Sequence, residues 1–127
     1  MRMLLVMAGG FCGAIARFTL GEWIYTNGFP LNTLLINLAG CLLLGWFLTF
    51  VSRRGDVRSE ISLLIGTGFI GSFTTFSTFS METIQLFQAG LLFYGIFYIL
   101  ASTIGGLLLV YTGYLLAVSP GKAGGPA

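Results

Sequence analysis

The side chains that could do chemistry in this chain are gathered in one apolar stretch. From Gly66 the sequence reads Gly-Thr-Gly-Phe-Ile-Gly-Ser-Phe-Thr-Thr-Phe-Ser-Thr-Phe-Ser, and six of the nine residues from 72 to 80 carry hydroxyls. Phe73, Phe76 and Phe79 recur every third residue among them. On an α-helix that spacing drifts by about 60° per step, which predicts three rings fanned across a face. A hydroxyl is a donor and an aromatic edge is electropositive, so both favour an anion without carrying a formal charge. Weakly polar groups of this kind let an ion leave as well as enter. Asn37 adds an amide inside the run Leu34-Leu35-Ile36-Asn37-Leu38-Ala39-Gly40. Facing lipid, its donors and acceptor would be unpaired, so it is expected to face protein or a water-filled path. The groups that could replace the hydration shell of a small anion are therefore Asn37, Ser77, Thr78, Tyr98, Ser102 and the edges of Phe76 and Phe79.

Catalysis is a poor match. The chain has no histidine, and no lysine is placed to activate the serines, so the usual nucleophile and acid–base pairs are missing. Cys12 and Cys41 lie inside apolar runs and read as small core residues, not as a disulfide or a metal pair.

The elements that must position these groups follow from composition. The 127 residues are 56% hydrophobic with 19 glycines and only 8% charged, whereas soluble domains carry about 25% charge. A nucleic-acid binder, a disordered chain and a soluble enzyme are all argued against. A membrane helix takes about 20 residues, which predicts an all-α membrane protein of one domain with four transmembrane helices, at about 3–23, 33–51, 61–87 and 91–118. The first run is read as a retained span, because it lacks a small-residue cleavage site and carries Arg17. The tail 119–127 is expected to be disordered. Small and polar residues step by four along Gly9, Gly13, Arg17 and Gly21, along Thr33, Asn37, Cys41, Gly45 and Thr49, and along Tyr98, Ser102 and Gly106. Each stripe suits close helix packing. Arg17 either snorkels to the interface or draws anions into a vestibule. Glycine and hydroxyl residues weaken the helical ladder, so the third span is expected to be broken at a place that lines a cavity.

A small proton-coupled multidrug exporter is the alternative of similar size, but it needs a carboxylate near the middle of a span. Glu22 ends the first span, Asp56 and Glu60 lie in a loop and Glu82 follows the expected break. A proton-conducting ring subunit fails for the same reason, and a purely structural subunit would not account for the hydroxyls and aromatics of the third span.

Three motifs carry a family resemblance: Gly9-Gly10-x-x-Gly13-Ala14-x-x-Arg17, Asn37-x-x-Gly40, and Gly68-x-x-Gly71-x-x-Thr74-Thr75-Phe76-Ser77-Thr78-Phe79-Ser80-x-Glu82. Together they resemble the Fluc/CrcB family of fluoride channels, over residues 8 to 115. The resemblance implies an antiparallel, dual-topology dimer of four-helix subunits in the cell (inner) membrane. Two pores would passively release fluoride that entered as hydrogen fluoride. It also implies that Asn37, Phe76 and Phe79 line each pore, that Tyr98 and Ser102 are pore-side positions, and that the carbonyls of Gly71 and Thr74 hold a structural sodium ion (Na+). Gly106 stands where the family often has a serine. Glu82 matches a carboxylate common after the aromatic run and is given no pore role.

The charge count bears on assembly. With four spans, Arg2, Arg53, Arg54, Arg58 and Lys122 share one side against Arg17 on the other, which favours a cytoplasmic N-terminus. Such imbalance suits an oppositely oriented paralogue as partner. An antiparallel homodimer is nevertheless the expectation, because two crossed third helices could offer the Gly71 and Thr74 carbonyls to one shared cation.

Overall fold

The computed structural model describes residues 1–119, so all but the first residue of the expected disordered tail lies outside the described residues. Helix α1 spans Arg2–Trp23 and α2 spans Leu31–Arg54. The third span comprises α3 (Ser59–Ser62), a π-helical stretch (Leu63–Ile70), α4 (Gly71–Phe73) and α5 (Phe76–Gln88), and α6 (Leu92–Val118) follows. Among the described residues four helical segments, Arg2–Trp23, Leu31–Arg54, Ser59–Gln88 and Leu92–Val118, are long and apolar enough to cross a membrane. Helix α2 starts just after Pro30, whose carbonyl accepts from the Leu34 N–H, and stops at Gly55, a left-handed residue with φ 68°. Gly90, with φ 77°, makes the corresponding turn into α6. These conformations suit glycine because it has no Cβ.

Two glycine seams draw the helices together in parallel pairs. In the first, a Cβ on Gly9 would strike the carbonyl of Leu64, and one on Gly13 that of Phe69. Gly68 reciprocates by lying against the Val6 carbonyl at 2.7 Å from where its Cβ would be. In the second, Gly45 on α2 meets the Val110 carbonyl, and Gly113 on α6 meets that of Leu42. Backbone approach of this kind is how helices gain van der Waals contact in lipid, where burying apolar surface drives nothing. Gly9 and Gly13 of the first expected stripe and Gly45 of the second lie in these seams, whereas Gly68 and Gly113 belong to none of the expected stripes.

The small core lies towards the opposite end from Arg53. Leu34, Leu86 and the fully buried Tyr98 form its centre, with Phe29, Leu38 and Phe79 against them. Phe29, from the loop between α1 and α2, caps it with its ring edge-on to Tyr98 at 5.5 Å. Many large apolar side chains, including Phe11, Phe18, Leu107 and Tyr111, remain exposed on the helix surfaces, as expected when lipid or another subunit is the surrounding medium.

Candidate functional site

The third span breaks at two threonines. Thr74 (φ −80°, ψ 158°) and Thr75 (φ −145°, ψ 125°) are both extended. Upstream, the π-helical stretch has already widened the ladder, with the Gly71 N–H directed to the carbonyls of Gly66 and Gly68. Such π turns cost hydrogen-bond quality and concentrate at functional places. Thr75 then acts as the N-cap of α5: its hydroxyl accepts from the Thr78 N–H at 3.2 Å.

Asn37 holds the break open from α2. Its Oδ1 accepts from the Thr75 N–H at 2.8 Å, and its Nδ2 donates to the Thr75 carbonyl at 2.9 Å. One amide side chain thereby satisfies both polar groups of a main-chain residue that has left its helix, as a neighbouring strand would. In an unbroken helix the Thr75 N–H would bond Gly71 and the Thr78 N–H would bond Thr74. Both are diverted here, the first to Asn37 and the second to the Thr75 hydroxyl.

A groove of about 600 Å³ opens beside the break, lined among others by Asn37, Cys41, Thr74, Phe76, Phe79 and Ser102. Phe76 is 79% exposed on its rim. Phe79 is half-buried, 5.8 Å from the Phe76 ring and 5.0 Å from that of Tyr98. The Ser102 hydroxyl is buried with no hydrogen-bond partner among the described residues. No charged side chain lines this groove among the described residues.

On the other side of Thr75 lies a pocket of about 320 Å³, bounded by Arg17, Glu22, Thr33, Thr78 and Glu82. Glu82 is its organised acid, accepting from the Thr33 hydroxyl at 2.8 Å on one oxygen and from the Tyr98 hydroxyl at 2.7 Å on the other. It therefore ties α2, α5 and α6 together. At 2.7–2.8 Å both bonds are short, and together they fix the carboxyl group between three helices.

The whole arrangement sits inside a recognisable sequence. Residues 4–114 match the family model described as CrcB-like protein, Camphor Resistance. The chain belongs to the CrcB family. Proteins named Fluoride-specific ion channel FluC are similar across nearly its whole length. One from Oceanobacillus iheyensis is 48% identical over 117 residues, covering 91% of this chain and 91% of its own. One named FluC 1, from Bacillus thuringiensis subsp. konkukian, is 47% identical over 116 residues, covering 89% and 85%. Another named FluC 1, from Moorella thermoacetica, is 43% identical over 123 residues, covering 94% and 88%.

In this CrcB chain the structure gathers Asn37, Phe76, Phe79 and Ser102 around one groove, together with Gly71 and Thr74. Arg17 and Thr78 line the pocket opposite, and Ser77 is exposed beside Thr75, its hydroxyl 3.3 Å away. Tyr98 lies behind Phe79 with its hydroxyl committed to Glu82. One expectation needs correction. Phe73 does not fan with the other two rings: it precedes the break, is 4% exposed, and stacks on Phe69 at 6.0 Å. Asn37 faces protein at the break, its oxygen and one amide proton bonded to Thr75 and its other amide proton left over. The residues that sequence reasoning missed are Thr75, the hinge of the site, and Glu82, the polar tie behind it. The Asn37-Thr75 spacing of 38 residues leaves no local signal for the first.

Proposed function

We propose that this CrcB chain is a fluoride-selective channel in the cell inner membrane, exporting fluoride passively and so relieving its toxicity. The observation that carries this reading is the uncharged, donor-lined groove at the Thr74–Thr75 break, and the similarity to proteins named fluoride-specific channels supports the choice of ion.

The proposed path runs from the neighbourhood of Arg17, which raises the local anion concentration, past the break to Phe76 and Phe79. The remaining Nδ2 proton of Asn37 and the hydroxyls of Ser77, Thr78 and Ser102 donate to fluoride in place of water. Tyr98 backs Phe79 and keeps its edge in position. Ser80 and Thr83 are poor candidates for the path, because their hydroxyls donate to the carbonyls of Phe76 and Phe79 within their own helix. Fluoride is small and gains most from a tight ring of donors. Chloride is larger and gains less, so the groove discriminates without a charged filter.

The proposed assembly is an antiparallel homodimer of dual topology. The exposure of Phe76 supports it, since a ring 79% exposed beside an open groove leaves the path unenclosed in one chain. The Gly71 and Thr74 carbonyls suit a structural sodium ion, because hard cations take oxygen ligands and the N–H groups that would occupy these two in a helix are bonded elsewhere. With an ion bound, these two carbonyls would have their dipoles neutralised at the break. Nothing observed favours the exporter reading.

The test is release of fluoride from liposomes containing only the purified chain, read with a fluoride electrode alongside a chloride electrode. The expected outcome is rapid fluoride loss with chloride retained. Equal release of both ions overturns the reading.

A further inference from the structure

At the far end of the molecule from the break, α2 and α6 finish side by side, and the Arg53 guanidinium donates to the Val118 carbonyl at 2.9 Å. A cation at a helix C-terminus meets the negative end of its dipole. Next to this bond lies a groove of about 630 Å³ lined by Trp46, Phe50, Arg53, Arg54, Leu116 and Ala117. Trp46 and Phe50 stack at 5.3 Å with an interplanar angle of 16°. The Arg54 guanidinium lies 5.0 Å from the centre of the Phe50 ring. A second groove of about 440 Å³, on Leu48, Tyr114 and Val118, shares Arg53 as its rim. No carboxylate lines either groove among the described residues.

We infer that the Trp46–Arg54 groove is a binding site for an anionic phospholipid. The shape is apolar along the helices and doubly basic at their ends, which matches an acyl chain leading to a charged headgroup. Each guanidinium keeps unused N–H donors in a planar fork suited to phosphate. Tryptophan beside a cationic rim is the usual interfacial anchor. The same end carries Arg2 and Arg58, and basic pockets between helix ends at a membrane surface attract anionic headgroups. The lipid wedges between the ends of α2 and α6 and fixes the depth at which this end sits in the membrane.

The chain has two tryptophans, Trp23 and Trp46, so Trp23→Phe leaves Trp46 as a single reporter. This variant is reconstituted in phosphatidylcholine vesicles doped with brominated phosphatidylglycerol or, at equal mole fraction, brominated phosphatidylcholine. The expected result is stronger quenching by the anionic lipid, corresponding to a preference of about twenty-five-fold, since each of the two arginines near an anionic surface favours it by roughly fivefold. Arg53→Gln with Arg54→Gln abolishes that preference. If the pair does not fold, Arg54→Gln alone, which leaves the Arg53 bond to Val118 intact, lowers it severalfold. Equal quenching by both lipids in the parent, or a preference that survives the glutamine variants, overturns the proposal. So does loss of the preference on adding millimolar inorganic phosphate, which identifies a site for free anions instead of lipid.

Discussion

The two halves of the third span meet the rest of the molecule by different physics. Before the break, Leu63–Phe73 is held by shape: Gly9, Gly13 and Gly68 bring two backbones into contact, and Phe69 and Phe73 stack behind them. After the break, Phe76–Gln88 is held by hydrogen bonds that reach other helices, through Asn37 to Thr75 and through Glu82 to Thr33 and Tyr98. Close packing in lipid tolerates no volume change but carries no ion. Polar ties within the membrane are satisfied one by one, and whichever donors are left over face the groove. The contrast explains how a chain of this size can be rigid and still offer a polar path: rigidity resides in one half-helix and the chemistry in the next.

The contrast breaks most sharply at the glycine seam. Gly13→Leu places a branched side chain into the Phe69 carbonyl, with no flexible neighbour to yield. A loss of at least ~3 kcal/mol is expected, at or beyond the top of the range for overpacked sites. In detergent this variant elutes as aggregate or unfolds at a far lower temperature than the parent.

Asn37→Ala comes next, because it strips partners from both the N–H and the carbonyl of Thr75. Its expected cost is about 2–4 kcal/mol, from leaving two partly buried backbone groups unsatisfied, together with a drop in fluoride efflux of tenfold or more. Asn37→Asp keeps an acceptor for the Thr75 N–H but sets a second oxygen against the Thr75 carbonyl, so denaturant unfolding should leave it well below the parent.

A smaller effect sharpens the contrast from the polar side. Glu82→Gln keeps the shape, but its amide offers one acceptor oxygen where Thr33 and Tyr98 each donate to a separate carboxylate oxygen. The hydroxyl that meets the amide nitrogen must turn from donor to acceptor, so one contact is reversed and the expected cost is about 1 kcal/mol. Tyr98→Phe in the same background adds little if the tie is shared, and a double-mutant cycle on thermal unfolding measures that coupling.

Much of this was legible in the sequence because it is local. Apolar length marks the four helices, the four-residue step from Gly9 to Gly13 marks one seam, and the hydroxyl run of 72–80 marks a helix in trouble. The place of the break was not legible to the residue. Gly71 has the greater backbone freedom, yet it stays helical at φ −61°, and the chain turns extended at Thr74 and Thr75 because Asn37 receives Thr75 there. The role of Glu82 was not legible for the same reason: its partner Thr33 lies 49 residues away and Tyr98 16. Sequence periodicity reports which face a residue occupies, and it carries nothing about which polar groups on separate helices will meet.

The central claim is that the polar half-helix passes the ion and that Phe76 serves the path, not the packing. The most direct measurement is fluoride efflux from liposomes containing only Phe76→Ile, set beside the parent and beside the thermal midpoints of both. Because Phe76 is 79% exposed in the single chain and, in the proposed dimer, borders the ion path instead of the subunit contact, the account predicts fluoride release slowed at least tenfold with an unchanged midpoint. Fluoride release equal to the parent's, accompanied by a lowered midpoint, would contradict it.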